Sequence, residues 1–427
     1  RWTGTLTPPA SGDYTLTITC HGHASVFLDG VAVIAEQASH PLGSSSAQVH
    51  LVAGQPRDLR VEYIADDPEI GVKTDFGGDV VLGWEVPPGV VVPAVQDAVA
   101  LAAASDVAVV VARDYGTEER DRSSLSLPND QDTLVRAVAA ANPRTIVVLM
   151  TGQPADMPWL DAVPAVIEAW YPGQEQGNVL ARVLFGDVNP SGKLPITFPR
   201  TLGETPAGSG SQLTSDGQGP IITYSEGLLV GYRWYDANGK DPLFPFGFGL
   251  SYTTFRYDGL AVDAAGGTVS FTLTNTGPVA GAEVAQLYVA SCGGSGRPRS
   301  QLAGFAKVSL APGESQHVSI AIAPEPLSSW DPASHAWVKE SCAPPLFVGG
   351  SSRDVRLQGT LGGTGAPPVA SGPAPDGGSA SVGSGGGPVR PIGGCGAAGG
   401  GALALLAAAA TLLRRVLALR GGGAHRA

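Results

Sequence analysis

The run Asp106-Val-Ala-Val-Val-Val-Ala-Arg113 constrains this chain more than any other segment. Six consecutive small or β-branched apolar residues do not alternate as a half-solvated strand does. They fit a parallel strand covered on both faces. Two more apolar runs follow at a spacing that leaves room for helices, Thr145-Ile-Val-Val-Leu-Met150 and Ala165-Val-Ile-Glu-Ala-Trp170. Between the first two, Leu134, Val135 and Val138 recur at helical spacing, predicting a helix from about Asp130 to Ala141. Asn142-Pro143 ends it, because proline disfavours the α conformation in the residue before it. A further helix is predicted from Gln174 to Phe185. Strand–helix alternation at this spacing implies a parallel α/β domain over residues 95–255.

Charge gathers just past the carboxyl end of the first of these strands, where open α/β sheets place their clefts. Glu118, Glu119, Asp121 and Arg122 lie within Gly116–Pro128. Spacing alone leaves two readings open: a solvated loop with surface ion pairs, or a partly desolvated carboxyl serving as a general acid.

The α/β segment is flanked by all-β sequence. Residues 1–88 alternate with a period of two in Tyr14–Thr19, Ser25–Gly30, Val49–Val52 and Leu59–Tyr63, separated by Gly, Pro and Asp, which predicts a β-sandwich. Residues 256–360 return to that pattern in Val269–Thr274, Glu283–Val289, Phe305–Leu310 and His317–Ile322, with turn signals at Asn275-Thr-Gly277 and Ala311-Pro-Gly-Glu314. Three such segments suit a chain of 427 residues, too long for one ordinary core. Residues 361–394 are Gly, Pro, Ser and Ala with almost no charge, the composition of a flexible linker. Residues 395–427 carry Gly394-Cys395-Gly396 at their head, an apolar run from Ala402 to Leu413, and then Arg414-Arg415. That run is short for a spanning helix, though reaching back to Gly396 makes it barely long enough. Arginines after it would remain cytoplasmic, leaving the rest of the chain outside.

Composition narrows the function classes. A formal charge of −12 argues against nucleic acid as a partner, since phosphate recognition needs a basic face. The four cysteines, Cys20, Cys292, Cys342 and Cys395, form no Cys-x-x-Cys pair, so neither a zinc ribbon nor a thioredoxin-like motif is present. Cys292 and Cys342 fall in one segment and are able to pair in an oxidising compartment. His21 and His23 share one strand face, but with no third ligand evident they are read as surface histidines rather than a metal site. Gly186-Asp-Val-Asn-Pro-Ser-Gly-Lys193 superficially suggests a phosphate loop. It has one residue too many between its glycines, and Leu194 stands where Ser or Thr should bind magnesium. No Ser-His-Asp set exists between Asp106 and Phe255, which contain no histidine. Trp170, Tyr171, Trp234 and Tyr235 are read as core aromatics before sugar-stacking ones.

The motifs of the α/β segment carry a family resemblance. Thr117–Pro128, Ala169-Trp-Tyr-Pro-Gly-Gln-Glu175, Phe185–Pro195, Tyr224-Ser-Glu-Gly227, Gly231–Tyr235 and Phe244-Pro-Phe-Gly-Phe-Gly-Leu-Ser-Tyr-Thr253 are similar to the C-terminal α/β-sandwich domain of glycoside hydrolase family 3, which includes β-glucosidases and β-xylosidases. Residues 1–88 resemble the second half of a protective-antigen-like carbohydrate-binding domain, through Trp2–Tyr14, Phe27-Leu-Asp-Gly30, Arg60–Tyr63 and Leu82-Gly-Trp84. The Asp-Asp pair that binds calcium in some such domains is replaced by Thr19-Cys-His-Gly-His23. Residues 256–360 resemble the fibronectin type III-like domain of the family, and the tail resembles a myxobacterial-type C-terminal sorting signal, with an ordinary membrane anchor as the rival reading.

The resemblance implies a retaining exo-β-glycosidase acting on oligosaccharide, polysaccharide or aryl β-glycoside substrates, without metal or other cofactor. Glu118 aligns with the family's acid/base glutamate, with Glu119 as the alternative, while Asp121 and Arg122 are implied to pin the loop. A neighbouring carboxylate is expected to raise the acid's proton affinity. Retention requires a second carboxyl roughly 5 Å away as nucleophile. In this family it is an aspartate in a Ser-Asp-Trp-type motif on an N-terminal barrel. None of the seven tryptophans follows an aspartate, and no barrel-length segment precedes the first sandwich. The chain is thus expected to be a C-terminal fragment, inactive alone, of a secreted or cell-surface enzyme held at least transiently at the membrane by its tail. Alternatives are a catalytically inactive carbohydrate-binding adhesin, or a β-xylosidase or N-acetylhexosaminidase of the same family.

Overall fold

The structure is a computed structural model. It describes residues 1–36, 40–64, 80–87, 89–114, 122, 124–209, 224–263, 267–291, 298–339 and 342–362, apart from the side chains of His21, His40, Pro41 and Leu42. The expected linker beyond residue 362 and the tail therefore lie outside the described residues, as does His21 of the histidine pair. Among the described residues, no helix is long and apolar enough to cross a membrane. The chain forms two compact units, Arg1–Ala104 and Ser105 onward.

The first unit is built on one long strand. Strands β1 (Trp2–Leu6), β2 (Gly12–Leu28), β3 (Val31–Ala35), β4 (His40–Leu51), β5 (Arg57–Ile64) and β6 (Val80–Glu85) precede a helix, α1 (Pro93–Ala103). The two separate strands expected at Tyr14–Thr19 and Ser25–Gly30 are halves of β2. Its first half lies between β4 and β6, and its second between β3 and β5, with a register shift between Cys20 and Gly22. Alternate side chains point to one face, so Tyr14, Leu16, Ile18, Cys20, Ala24, Val26 and Leu28 bury a continuous stripe. Leu51 and Val61 complete that core.

The second unit opens with the parallel sheet. Strands β7 (Ala108–Arg113), β8 (Thr145–Met150) and β9 (Ala165–Glu168) pair in that order. Helix α2 (Gln131–Ala141) packs on β7 and β8 and buries Val135, Val138 and Ala139. The buried Asn142 terminates α2 in an extended conformation and donates to the Ser105 carbonyl at 2.8 Å, tying the helix end to the start of β7. Helix α3 (Gln176–Leu184) follows a short 3-10 turn, and α4 (Tyr232–Ala237) comes later.

Two expectations are corrected here. β8 is buried along its length, but β7 is not covered on both faces: Val109 and Val111 are 40% and 50% exposed. Side chains alternate along the strand, so Val110 and Ala112 bury one face while Val109 and Val111 point to the other, which is solvent-exposed among the described residues. The third strand stops at Glu168 rather than Trp170, because Trp170 adopts a left-handed backbone conformation (φ 53°), which a strand cannot contain.

The remaining strands form a sandwich. One sheet is β10 (Phe255–Val262), β11 (Thr268–Asn275) and β14 (Ser315–Ala321); the other is β13 (Ser300–Leu310), β12 (Gly281–Ala290), β17 (Pro345–Gly349) and β18 (Val355–Thr360). A separate ribbon pairs β15 (Ser328–Asp331) with β16 (Ala336–Lys339). Phe271, Leu273, Leu287, Leu346 and Val348 fill the space between the sheets. Cys342 is disulfide-bonded, and its expected partner Cys292 lies outside the described residues.

This sandwich is joined to the α/β part by buried polar contacts. Lys193, the lysine of the phosphate-loop-like stretch, meets Glu283 of β12 at 3.0 Å and donates to the Gly249 carbonyl at 2.9 Å. Tyr257 donates to the same carboxylate at 3.2 Å. Gln286 donates to the carbonyls of Gly247 and Gly350, and accepts from the Tyr288 hydroxyl. Glycine is required at 249, since a Cβ there would stand 2.1 Å from the Gly192 carbonyl oxygen. Burial raises the Glu283 carboxyl and the Lys193 charge opposes it. Removing one partner of a buried pair strands the other. Lys193→Met is expected to destabilise the second unit by on the order of 3–5 kcal/mol in chemical denaturation, and adding Glu283→Gln should recover most of that loss. Equal stability of the wild type and the lysine variant would contradict this role.

Candidate active site

The three parallel strands end side by side, and each delivers a polar residue at its carboxyl end. Asp114 follows β7 directly, Thr151 and Gly152 follow β8, and Glu168 closes β9. Trp170 and Tyr171 come immediately after Glu168.

Asp114 is the centre of this group. Its side chain is only 1% exposed, and its oxygens are shared among three donors. Oδ1 accepts the Tyr171 hydroxyl at 2.5 Å. Oδ2 accepts Arg122 Nη1 at 3.2 Å and the Gly152 N–H at 3.3 Å. Arg122, itself 12% exposed, also donates through Nη2 to the Ser126 carbonyl at 2.6 Å. A buried carboxylate satisfied in this way is stable only while each donor stays in place.

The ion pair joins the two residues that flank the segment 115–121. A second fastening lies just beyond: the Gln131 amide brackets the peptide of Arg113, accepting from its N–H at 2.9 Å and donating to its carbonyl at 2.7 Å. The chain therefore leaves the sheet at Asp114 and returns at two points tied to the end of β7. Asp156 is another carboxyl in the field of Arg122. Burial and the Asp132 charge raise it, and the arginine opposes them.

Glu168 has a different environment. It is half-buried and meets no cation among its described hydrogen-bond partners. Oε1 accepts the Trp170 N–H at 2.9 Å, and Oε2 lies 3.2 Å from Thr151 Oγ1. Burial, reinforced by the charge of Asp114, pushes the carboxyl up to about 7 against the opposing hydrogen bonds from Trp170 and Thr151. The threonine hydroxyl has one proton, and the Gln153 carbonyl accepts it at 2.8 Å. The 3.2 Å approach to Glu168 Oε2 is the longer of the two contacts this hydroxyl can donate to.

Of the residues singled out in the sequence, Arg122 is placed against Asp114, while Glu118, Glu119 and Asp121 lie outside the described residues. Trp170 packs edge-on against Phe198 at 6.2 Å, and Tyr235 is buried against Trp234. Tyr171 departs from the core reading: it is 56% exposed, because its ring reaches over the sheet end to place its hydroxyl on Asp114. Asp114 and Glu168 were not singled out. Their signal was present, since each is a lone carboxyl attached to an otherwise apolar strand run.

The Glu168 carboxyl makes stability depend on pH. Its folded value lies above the ordinary 4.5, so the folded state holds a proton that the unfolded chain has lost between about 4.5 and 7. That contribution is complete below 4.5 and disappears as pH rises through 7. Glu168→Gln should therefore gain stability relative to the wild type between pH 4.5 and pH 8, by on the order of 3 kcal/mol, read from denaturation curves at both pH values. Parallel pH profiles for the two proteins would contradict a buried, proton-holding carboxyl.

Comparison with known proteins identifies the arrangement. Residues 7–252 match the glycosyl hydrolase family 3 C-terminal domain, and residues 283–352 match the fibronectin type III-like domain. A probable beta-glucosidase K of Emericella nidulans is 38% identical over 376 residues, covering 83% of this chain and 44% of its own length. A beta-glucosidase of Rhizobium radiobacter is 36% identical over 83% of this chain and 45% of itself. Among solved structures, DesR, a beta-glucosidase from Streptomyces venezuelae in complex with D-glucose, superposes with a TM-score of 0.64 at 38% identity, over 84% of this chain and 45% of its own. The Kluyveromyces marxianus beta-glucosidase in complex with glucose gives a TM-score of 0.62 at 32% identity. The chain spans less than half the length of these relatives. With more than half of its residues matched by the family model, the chain belongs to glycosyl hydrolase family 3.

Proposed function

We propose that this chain is the C-terminal portion of a retaining exo-β-glucosidase and supplies its general acid/base. The observation that carries this reading is the closed base of the loop. The Asp114–Arg122 ion pair fastens both ends of the segment that contains Glu118, at the carboxyl edge of the sheet, in a chain whose relatives are beta-glucosidases. In this reading Glu118 protonates the departing glycosidic oxygen and then takes a proton from the attacking water. Glu119 is the alternative for that role, and Asp121 and Arg122 hold the loop. Retention needs a second carboxyl roughly 5 Å from the acid/base, and in this reading that nucleophile comes from an N-terminal barrel outside this chain. Residues 1–88 form part of a protective-antigen-like insert in this account. The C-terminal tail directs a secreted or surface-held enzyme through a sorting signal.

Two measurements test the reading. The purified chain alone is expected not to hydrolyse an aryl β-glucoside. In the full-length protein, Glu118→Gln should lower turnover of an alkyl β-glucoside by about 10²–10⁴-fold, the usual contribution of a positioned acid/base. Activity of the isolated chain, or an unimpaired Glu118→Gln enzyme alongside an inactive Glu119→Gln one, would overturn the assignment.

A further inference from the structure

We propose that Tyr171, seated over Gly152, is a positioning residue for the acid/base: its hydroxyl orients Asp114, and Asp114 in turn holds Arg122 and the loop that returns there. This inference rests on the acid/base reading of that loop.

The argument begins with the exposure of Tyr171. A tyrosine that only fills a core is buried, and this one leaves more than half its surface in water. Its hydroxyl is directed inward, to Oδ1 of a carboxylate that is itself almost completely buried. Oδ2 of the same carboxylate is already occupied by Arg122 and the Gly152 N–H. The tyrosine hydroxyl thus fixes the rotation of the carboxylate plane, and that plane sets where the guanidinium sits.

Two independent features of the backbone are shaped around this contact. The first is Gly152. A Cβ at that position would lie 2.7 Å from Tyr171 Cε2 and 3.0 Å from its hydroxyl oxygen, so any larger residue would displace the ring. Gly152 does not have the positive φ that demands glycine elsewhere in this chain, which leaves ring clearance as its steric reason. The second is Trp170, held left-handed at φ 53°. A bulky residue in that region carries about 1–3 kcal/mol of strain and persists only where its surroundings fix it. Here the Glu168 carboxyl accepts the Trp170 N–H. The residue beside Tyr171 is therefore strained in place, and the residue beneath its ring is kept small.

The functional consequence is geometric. A general acid must stay within hydrogen-bond reach of the leaving oxygen, and a misplacement of about 1 Å costs on the order of 100-fold in rate. Loosening Asp114 loosens Arg122, which stands four residues along the chain from Glu118. The loss should fall on the step that needs a proton and spare the step that does not.

Tyr171→Phe in the full-length protein tests this, because it removes one oxygen from an exposed side chain and no buried volume. With an alkyl β-glucoside, whose leaving group must be protonated, kcat/KM is expected to fall roughly 10–100-fold, the value of one hydrogen bond to a charged group. With 2,4-dinitrophenyl β-glucoside, whose leaving group departs unprotonated, kcat/KM should change less than about 3-fold. Gly152→Ala should show the same substrate dependence and should add nothing in a Tyr171→Ala background, since both changes break one contact. Glu118→Gln measured in parallel separates the two ideas. If it shows the leaving-group dependence and Tyr171→Phe does not, the positioning role is wrong and the acid/base reading stands. If Glu118→Gln lacks it, both fail. An equal loss on both substrates in Tyr171→Phe would mark a merely structural tyrosine and would also overturn the proposal.

Discussion

The end of the parallel sheet is organised by the need to keep one carboxylate, Asp114, charged and out of water. Burying an ionised carboxyl is costly unless its oxygens are matched by donors. Arg122, Tyr171 and the Gly152 amide supply them from three places in the chain, each at or after a different strand end. Satisfying that carboxylate therefore fixes the spacing of the loops after β7, β8 and β9 together. Glu168, at the end of β9, solves the same problem in the opposite way. Burial pushes it toward the neutral form, and it accepts hydrogen bonds from Trp170 and Thr151. A carboxyl raised by burial at the end of a parallel strand, as Glu168 is, is characteristic of sites where proton chemistry occurs.

The same logic fastens the fibronectin-like sandwich to the α/β part. Lys193 and Glu283 satisfy each other, with Gly249 and Tyr257 completing the set, and Gln286 uses its amide to bridge carbonyls on both sides. Arg353 adds an outer pair with Asp236. Contacts of this type depend on register: Glu283 and Gln286 lie three residues apart on opposite faces of β12, and a one-residue slip would turn each away from its partners. The sandwich thereby braces the α/β part at Lys193 and at Gly247 and Gly249.

What the sequence made legible followed from periodicity and from turn chemistry. β8 and α2 fall where apolar runs and the Asn142-Pro143 stop place them, because those signals are local. Helix α1 was not read. Pro93–Ala103 is rich in alanine and buries only Ala102, so it lacks the broad apolar stripe that marks a helix. β2 runs through Cys20-His21-Gly22 with a register shift, so the two alternating runs on either side of it are one strand. The site was legible only in part. Arg122 stood in a charged cluster, but its partner Asp114 is defined by contacts with Tyr171 and Gly152, which are 57 and 38 residues away. The left-handed Trp170 is equally non-local in cause, since no propensity places a tryptophan there and only the Glu168 carboxyl explains it.

The central claim is that this part of the family 3 fold contributes the proton-transferring half of a two-carboxylate retaining mechanism. The most direct test is the product formed by the full-length Glu118→Gln protein from 2,4-dinitrophenyl β-glucoside in the presence of azide. With the acid/base removed and the nucleophile intact, an anion should intercept the glycosyl-enzyme without needing deprotonation, and the product should be β-glucosyl azide by NMR. Formation of glucose alone at the unmodified rate, or of the α-azide, would contradict the account.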